Sequence, residues 1–274
     1  MMIYIYDGSF EGLLSAVFTS FADKIFPRDI VEENRYQLGL LDDARSIGTN
    51  EDQAERVLRA LDHKSKGRGA LLVYKMFLSG LPEIEMTIFH LIKTLMDRRE
   101  NRLNHHLKVL DNPLSVVDNY ANPHVAQALR IEKMIGREVH RMHAFVRFQK
   151  SADGIFRALI NPDFNVLPLI ATHFERRYAD QPWVILDTLR HYALYYNLST
   201  TRIIGPDDAL LAPTVNEQRE KGHDQKEDLY QQLWVNYFNS VNIQERKNTK
   251  LHLRHMPRRY WRHLVEKTHP GYIR

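Results

Sequence analysis

None of the 274 residues is a cysteine. That excludes disulfides, iron-sulfur ligation by the chain's own thiolates, zinc ribbons and a cysteine nucleophile. Long apolar runs are missing as well. No window approaches the ~20 consecutive apolar residues of a membrane span, and MMIYIYDGSF lacks the basic-then-apolar order of a secretory leader. A cytoplasmic protein without membrane attachment is therefore expected. The Gly-containing turn DGSFEG matches neither the Walker pattern nor the dinucleotide fingerprint, and Asp7 within it would repel a phosphate. HExxH, internal repeats, a Ser-His-Asp order and a recognisable glycosidase carboxylate pair are also lacking.

A hydrophobic content of 43% is ample for a core. Residues 2 to 6 (MIYIY) read as a strand followed by a helix capped by Asp7 or Ser9, with LGLL and RSI as further short strands. Thr49 to Asp52 resembles a capping box ahead of Ala54, Val57, Leu58 and Leu61. A second helix is expected over about Gly69 to Ser79. Pro82 opens a third with Ile84, Ile88, Leu91, Ile92 and Leu95 on one stripe. Asn122 to His143 reads as another.

From Ala144 to Asn197 the period changes twice. AFVRFQ and GIFRALI alternate like strands joined by KSADG. Val166, Leu167, Ile170, Ala171, Phe174 and Tyr178 then make a helical stripe, with Pro168 tolerated in the first turn. WVILD and HYALYYN return to strand character. The expected fold class is α+β, with a mostly helical region (1–143), a four-stranded antiparallel ββαββ unit (144–199), a polar linker or insertion (200–228) and a basic, aromatic helical C-terminal segment (229–274). The helix would cover one sheet face, leaving Phe145, Arg147, Arg157 and some tyrosines on the other.

Charge is distributed unevenly. Residues 241–274 hold nine Lys or Arg against two Glu, a net +7, so the remainder carries −3 of the overall +4. Such asymmetry points to a polyanion partner. In the C-terminal segment Arg246, Lys247, Lys250, Arg254, Arg258, Arg259 and Arg262 supply phosphate-binding charge, and Tyr260 and Trp261 can stack on bases or dock on the core. Arg130, Lys133, Arg137 and Arg141 share a helix face, either a phosphate ladder or a solvated surface, and lead into Arg147 and Arg157. Asp163, His173 and Glu175 are the available acid-base candidates, although His173 and Glu175 are two apart and do not face each other on a helix. The bland reading is that Asn161 or Asp163 caps the helix and that Arg176 or Arg177 pairs with Asp180 or Asp187. His140 with His143, and His252 with His255, have the spacing to share a metal, but neither pair has a third ligand in sequence.

FVRFQKSADGIFRALINPDFNVLPLIATHFERRYADQPWVILD, MIYIYDGSFEGLLSAVFTSF and SVNIQERKNTKLHLRHMPRRYW together resemble a bacterial family labelled for DNA metabolism or DNA repair, of unassigned mechanism. Some members are joined to a uracil-DNA-glycosylase-like domain, and a radical-SAM protein is a frequent companion. The resemblance covers nearly the whole chain. It implies a DNA-binding protein acting with a separate enzyme, and any radical-SAM cluster would belong to that partner. The alternatives are a DNA-processing enzyme, a glycosylase or nuclease using the acid-base or histidine candidates, and a protein-interaction adaptor. No cofactor of the chain's own is expected.

Overall fold

A computed structural model of the chain describes residues 2–37, 43–97, 116–211, 226–241 and 248–268. Helices and sheets are both present, in two compact units that meet at Ile135 and Gly136. Among the described residues no helix is long and apolar enough to cross a membrane.

In the first unit β1 (Met2–Tyr6) lies between β2 (Asp29–Glu32) and β3 (Asp43–Ser46), parallel to both. The RSI expectation falls on β3, whereas LGLL lies outside the described residues. Tyr4 and Tyr6 point into the core. Helix α1 (Phe10–Asp23) begins at Ser9, whose hydroxyl accepts from the Gly12 N–H at 2.9 Å and donates to Asp7 at 2.6 Å. Asp7 also accepts from Thr49 at 2.7 Å. These hydrogen bonds, those from Ser9 first, hold its carboxyl below the usual range. A Cβ on Gly12 would lie 2.2 Å from an Asp7 oxygen, so glycine admits the carboxylate to this turn.

Helices α2 (Glu51–Ser65), α3 (Gly69–Leu78) and α4 (Ile84–Met96) follow. The cap of α2 is Asn50, accepting from the Gln53 N–H at 3.0 Å. The stripe of α4 is buried as its 3.6-residue period requires, with Ile88 and Leu91 wholly so. Buried Glu85 pairs with Arg35 and accepts from the Tyr6 hydroxyl.

Helix α5 (Pro123–Phe145) contains the boundary between the units. In the second unit, β4 (Gln149–Lys150), β5 (Phe156–Ile160), β6 (Trp183–Asp187), β7 (Tyr192–Tyr196) and β8 (Thr201–Ile204) form one sheet in sequential order. This corrects the expectation of four antiparallel strands. The sheet has five strands and is mixed, because α6 (Leu167–Arg177) carries the chain over the sheet and returns β6 parallel to β5. Strand β8 lies within the stretch read as linker. AFVRFQ is not a strand: α5 continues to Phe145, the Val146 N–H still donates to the Met142 carbonyl at 3.2 Å, and pairing starts only at Gln149. Every residue of β6 is buried, as suits a central strand.

Helix α6 buries Leu167, Ile170 and Phe174, with Phe174 against Phe148 and Trp183. Neither Asn161 nor Asp163 caps it. Val166 holds the cap position and makes no side-chain cap hydrogen bond. Asp187 pairs with Arg190 at 2.8 Å and accepts from two turn N–H groups, rather than meeting Arg176 or Arg177. Helices α7 (Glu227–Ser240), α8 (Thr249–His255) and α9 (Val265–Thr268), with a 3-10 turn over Arg258–His263, complete the described chain.

Candidate nucleic-acid interface and aromatic cavity

The structure sorts the cationic candidates by what neutralises them. Arg157 is almost fully buried and forks onto both oxygens of Asp153, each at 2.7 Å, so it is not on an open sheet face. Arg147 forks onto buried Glu266 at 2.7 and 3.3 Å. Arg141 approaches Glu138 at 3.4 Å, and Arg259 pairs with Glu138 at 3.2 Å and Asp163 at 2.6 Å. A buried carboxylate is tolerated only with such partners. These arginines are therefore counter-charges of the fold. Phe145, also expected on the open face, packs on Tyr260 at 5.3 Å.

Tyr260 is a second correction. It is 2% exposed, and its hydroxyl donates to the Glu138 carboxylate at 2.6 Å, with the Asp163 N–H joining the same carboxylate at 3.0 Å. Burial, then the Glu138 carboxylate, raises the phenol above its ordinary value. Tyr260 is thus an anchor, with no face left for a base. Trp261 is half-buried and donates its indole N–H to the Met256 carbonyl at 3.0 Å, while Lys267 and Arg258 lie 5.2 and 5.9 Å from its ring.

Lys250, Arg254, Arg258 and Arg262 remain exposed, and none has a carboxylate partner among the described residues. Asn248 starts α8 by accepting from the Leu251 N–H, which places Lys250 and Arg254 one turn apart on one side of it. Arg130, Lys133 and Arg137 are exposed on α5. Arg246 and Lys247 lie outside the described residues.

The acid-base candidates do not converge. Asp163 is held by Arg259, while His173 stacks on His143 at 3.9 Å with ring planes 15° apart. No hydrogen bond joins His173, Glu175 and Asp163 among the described residues. Burial, with His173 and His140 nearby, lowers His143 and favours its neutral form. Neither His140 with His143 nor His252 with His255 gains a third ligand: among the described residues no three His, Asp or Glu side chains group as a metal site would need.

One feature escaped the sequence reading. The second unit contains a cavity of about 410 Å³ walled by Phe148, Phe156, Tyr178, Trp183, Tyr230 and Trp234, with Arg147, Gln181, Glu227 and Gln231 among its polar groups. Strands β5 and β6 supply Phe156 and Trp183, and α7 supplies Tyr230 and Trp234 four residues apart on one face. That pair in LYQQLW was the available signal, but its partners lie some distance away in the chain. Trp234 is fixed in place: its indole N–H donates to Glu266 at 3.0 Å, and the Arg147 guanidinium lies 5.5 Å from its ring. Burial pushes the Glu266 carboxyl up, but the Arg147 guanidinium, helped by the Trp234 N–H, outweighs it and holds the carboxyl below its ordinary value.

Residues 83–266, about two-thirds of the chain, match the model of DUF4130, a domain of unknown function. The chain belongs to this family, and the matched span includes every residue of the cavity wall and of the exposed cationic group from Lys250 to Arg262. No curated protein matches the chain.

Proposed function

We propose that this chain is a DNA-binding protein of DNA repair or modification that presents its substrate to a separate enzyme. The observation that carries the reading is the division among the cations: Lys250, Arg254, Arg258 and Arg262 stand exposed without carboxylate partners among the described residues, while the neighbouring Arg259 is ion-paired. Exposed guanidinium groups release condensed counterions when they meet phosphates, which favours a polyanion over an uncharged partner. The choice of DNA, and of a radical-SAM or uracil-DNA-glycosylase-like protein as the companion enzyme, rests on the family resemblance alone.

The test is binding of the purified chain to labelled single-stranded DNA, double-stranded DNA and RNA over a salt series, beside a variant with all four residues changed to Gln. Tight binding that weakens with salt is expected. In the variant the slope of log affinity against log salt should shrink by roughly 3, given about 0.7–0.9 per phosphate contact. Absence of binding at low salt, or an unchanged slope, would remove the reading. A clear preference for RNA would overturn the choice of DNA.

A further inference from the structure

We infer that the aromatic cavity of the second unit is a receptor for a single nucleobase. Its volume of about 410 Å³ falls in the range of single-ligand pockets, roughly 300–1,000 Å³. Six aromatic rings offer flat apolar walls, and stacking on such rings accepts any base because every base has a π-face. The polar groups are sparse and complementary. Trp183 is wholly buried and forms part of the wall. Glu227, 7% exposed, accepts from the Lys150 N–H at 3.1 Å and the Gln231 amide at 3.2 Å. A carboxylate has about four acceptor positions, so Glu227 retains capacity for a ring N–H or an amino group. Gln181 and Gln231 can each donate and accept.

Other ligand classes fit this lining less well. Glu227 repels a phosphate, and a purely apolar chain would leave the hydrogen-bonding capacity of Glu227, Gln181 and Gln231 unused. A flat group with donors and acceptors around its edge and no negative charge meets both constraints. Access is built into the rim. Tyr230 and Trp234 are 58% and 40% exposed, and Trp234 is locked by Glu266 and Arg147, so its ring is preorganised for stacking. On the DNA-binding reading above, the occupant is a base extruded from a bound strand. The chemistry of the cavity itself suits a free nucleoside equally.

The experiment compares three ligands: a single-stranded oligonucleotide, the same length of abasic deoxyribose-phosphate backbone, and free deoxynucleosides. Deoxynucleoside binding is read by tryptophan fluorescence, since two of the chain's three tryptophans line the cavity. The proteins are the full chain, the rim variant Tyr230→Ala/Trp234→Ala and the isosteric Glu227→Gln. The full chain should prefer the base-bearing strand by about tenfold or more, in keeping with the usual strength of base-aromatic stacking. Both variants should lose most of that preference while keeping the salt-dependent affinity for the abasic backbone. A preference retained in both variants, or no preference in the full chain together with no fluorescence response to deoxynucleosides, overturns the cavity as a base receptor. Loss of all DNA binding with a persisting deoxynucleoside response that Glu227→Gln weakens would sink the DNA reading and leave the cavity as a receptor for free bases.

Discussion

In the body of the second unit Arg141, Arg147, Arg157 and Arg190 each meet a carboxylate at 3.4 Å or less, and in every pair one member is almost wholly buried. Between Lys250 and Arg262, four of the five Lys and Arg meet none among the described residues, and all four face solvent. The contrast separates two uses of one side-chain chemistry. In the body each pair makes one buried charge tolerable, and removing the more exposed member strands the buried one in a poorly solvating interior. In the C-terminal segment the charge is solvated already, so its removal costs the fold little and affects whatever meets it from outside.

This comparison can be broken most decisively at Glu138, which gathers Tyr260, Arg259, Arg141 and the Asp163 N–H. Glu138→Ala should lower the unfolding free energy by about 3–5 kcal/mol in urea titration, because it strips Arg141 of its carboxylate and leaves the buried Tyr260 hydroxyl and the Asp163 N–H without their acceptor. A loss below about 1 kcal/mol would show that the pairs of the body are as dispensable as surface ones. Tyr260→Phe deletes only the buried hydroxyl and should cost about 1–3 kcal/mol while leaving nucleic-acid affinity unchanged. A drop in affinity without destabilisation would return Tyr260 to the binding surface.

Acidification gives a graded version of the same test. Burial, then Arg262, pushes His263 down from 6.5 to about 4, so between those pH values the unfolded chain binds more protons than the folded one. Stability should fall as pH drops through this window and should level off above 6.5. Glu266, held below its ordinary value, adds a loss of the same sign at lower pH. Thermal unfolding across pH 4 to 7 would show the slope, and His263→Gln should flatten it. The smallest effect is expected from changing Lys250, Arg254, Arg258 and Arg262 to Gln, which should shift stability by less than about 0.5 kcal/mol even as salt-dependent binding weakens.

Local chemistry made much of this molecule legible in its sequence. The stripes of α4 and α6, the Ser9 cap and strands β1, β6 and β7 follow from period and capping residues that act within a few positions. AFVRFQ misled because its alternation coincides with the last turn of α5 and the run into β4, where two residues of pairing replace a full strand. The parallel β5–β6 pair was hidden because a helix between strands fits either direction until the crossover is seen. Composition likewise gives a count of arginines without their partners: Arg157 and Arg258 look alike in sequence, yet one is sealed under Asp153 and the other is open to solvent. The cavity was out of reach for the same reason, since its wall combines Phe148 with Trp234.

The Arg147–Glu266 pair joins residues 119 positions apart, and Trp234 depends on both for its fixed pose. During synthesis at about 5–20 residues per second, a nascent chain that has just added Arg147 must wait some 6–24 s for Glu266. Until then the strands beneath the cavity can be made while its rim stays unset. Translation thus imposes an order of maturation on the molecule, in which the framework comes before the receptor.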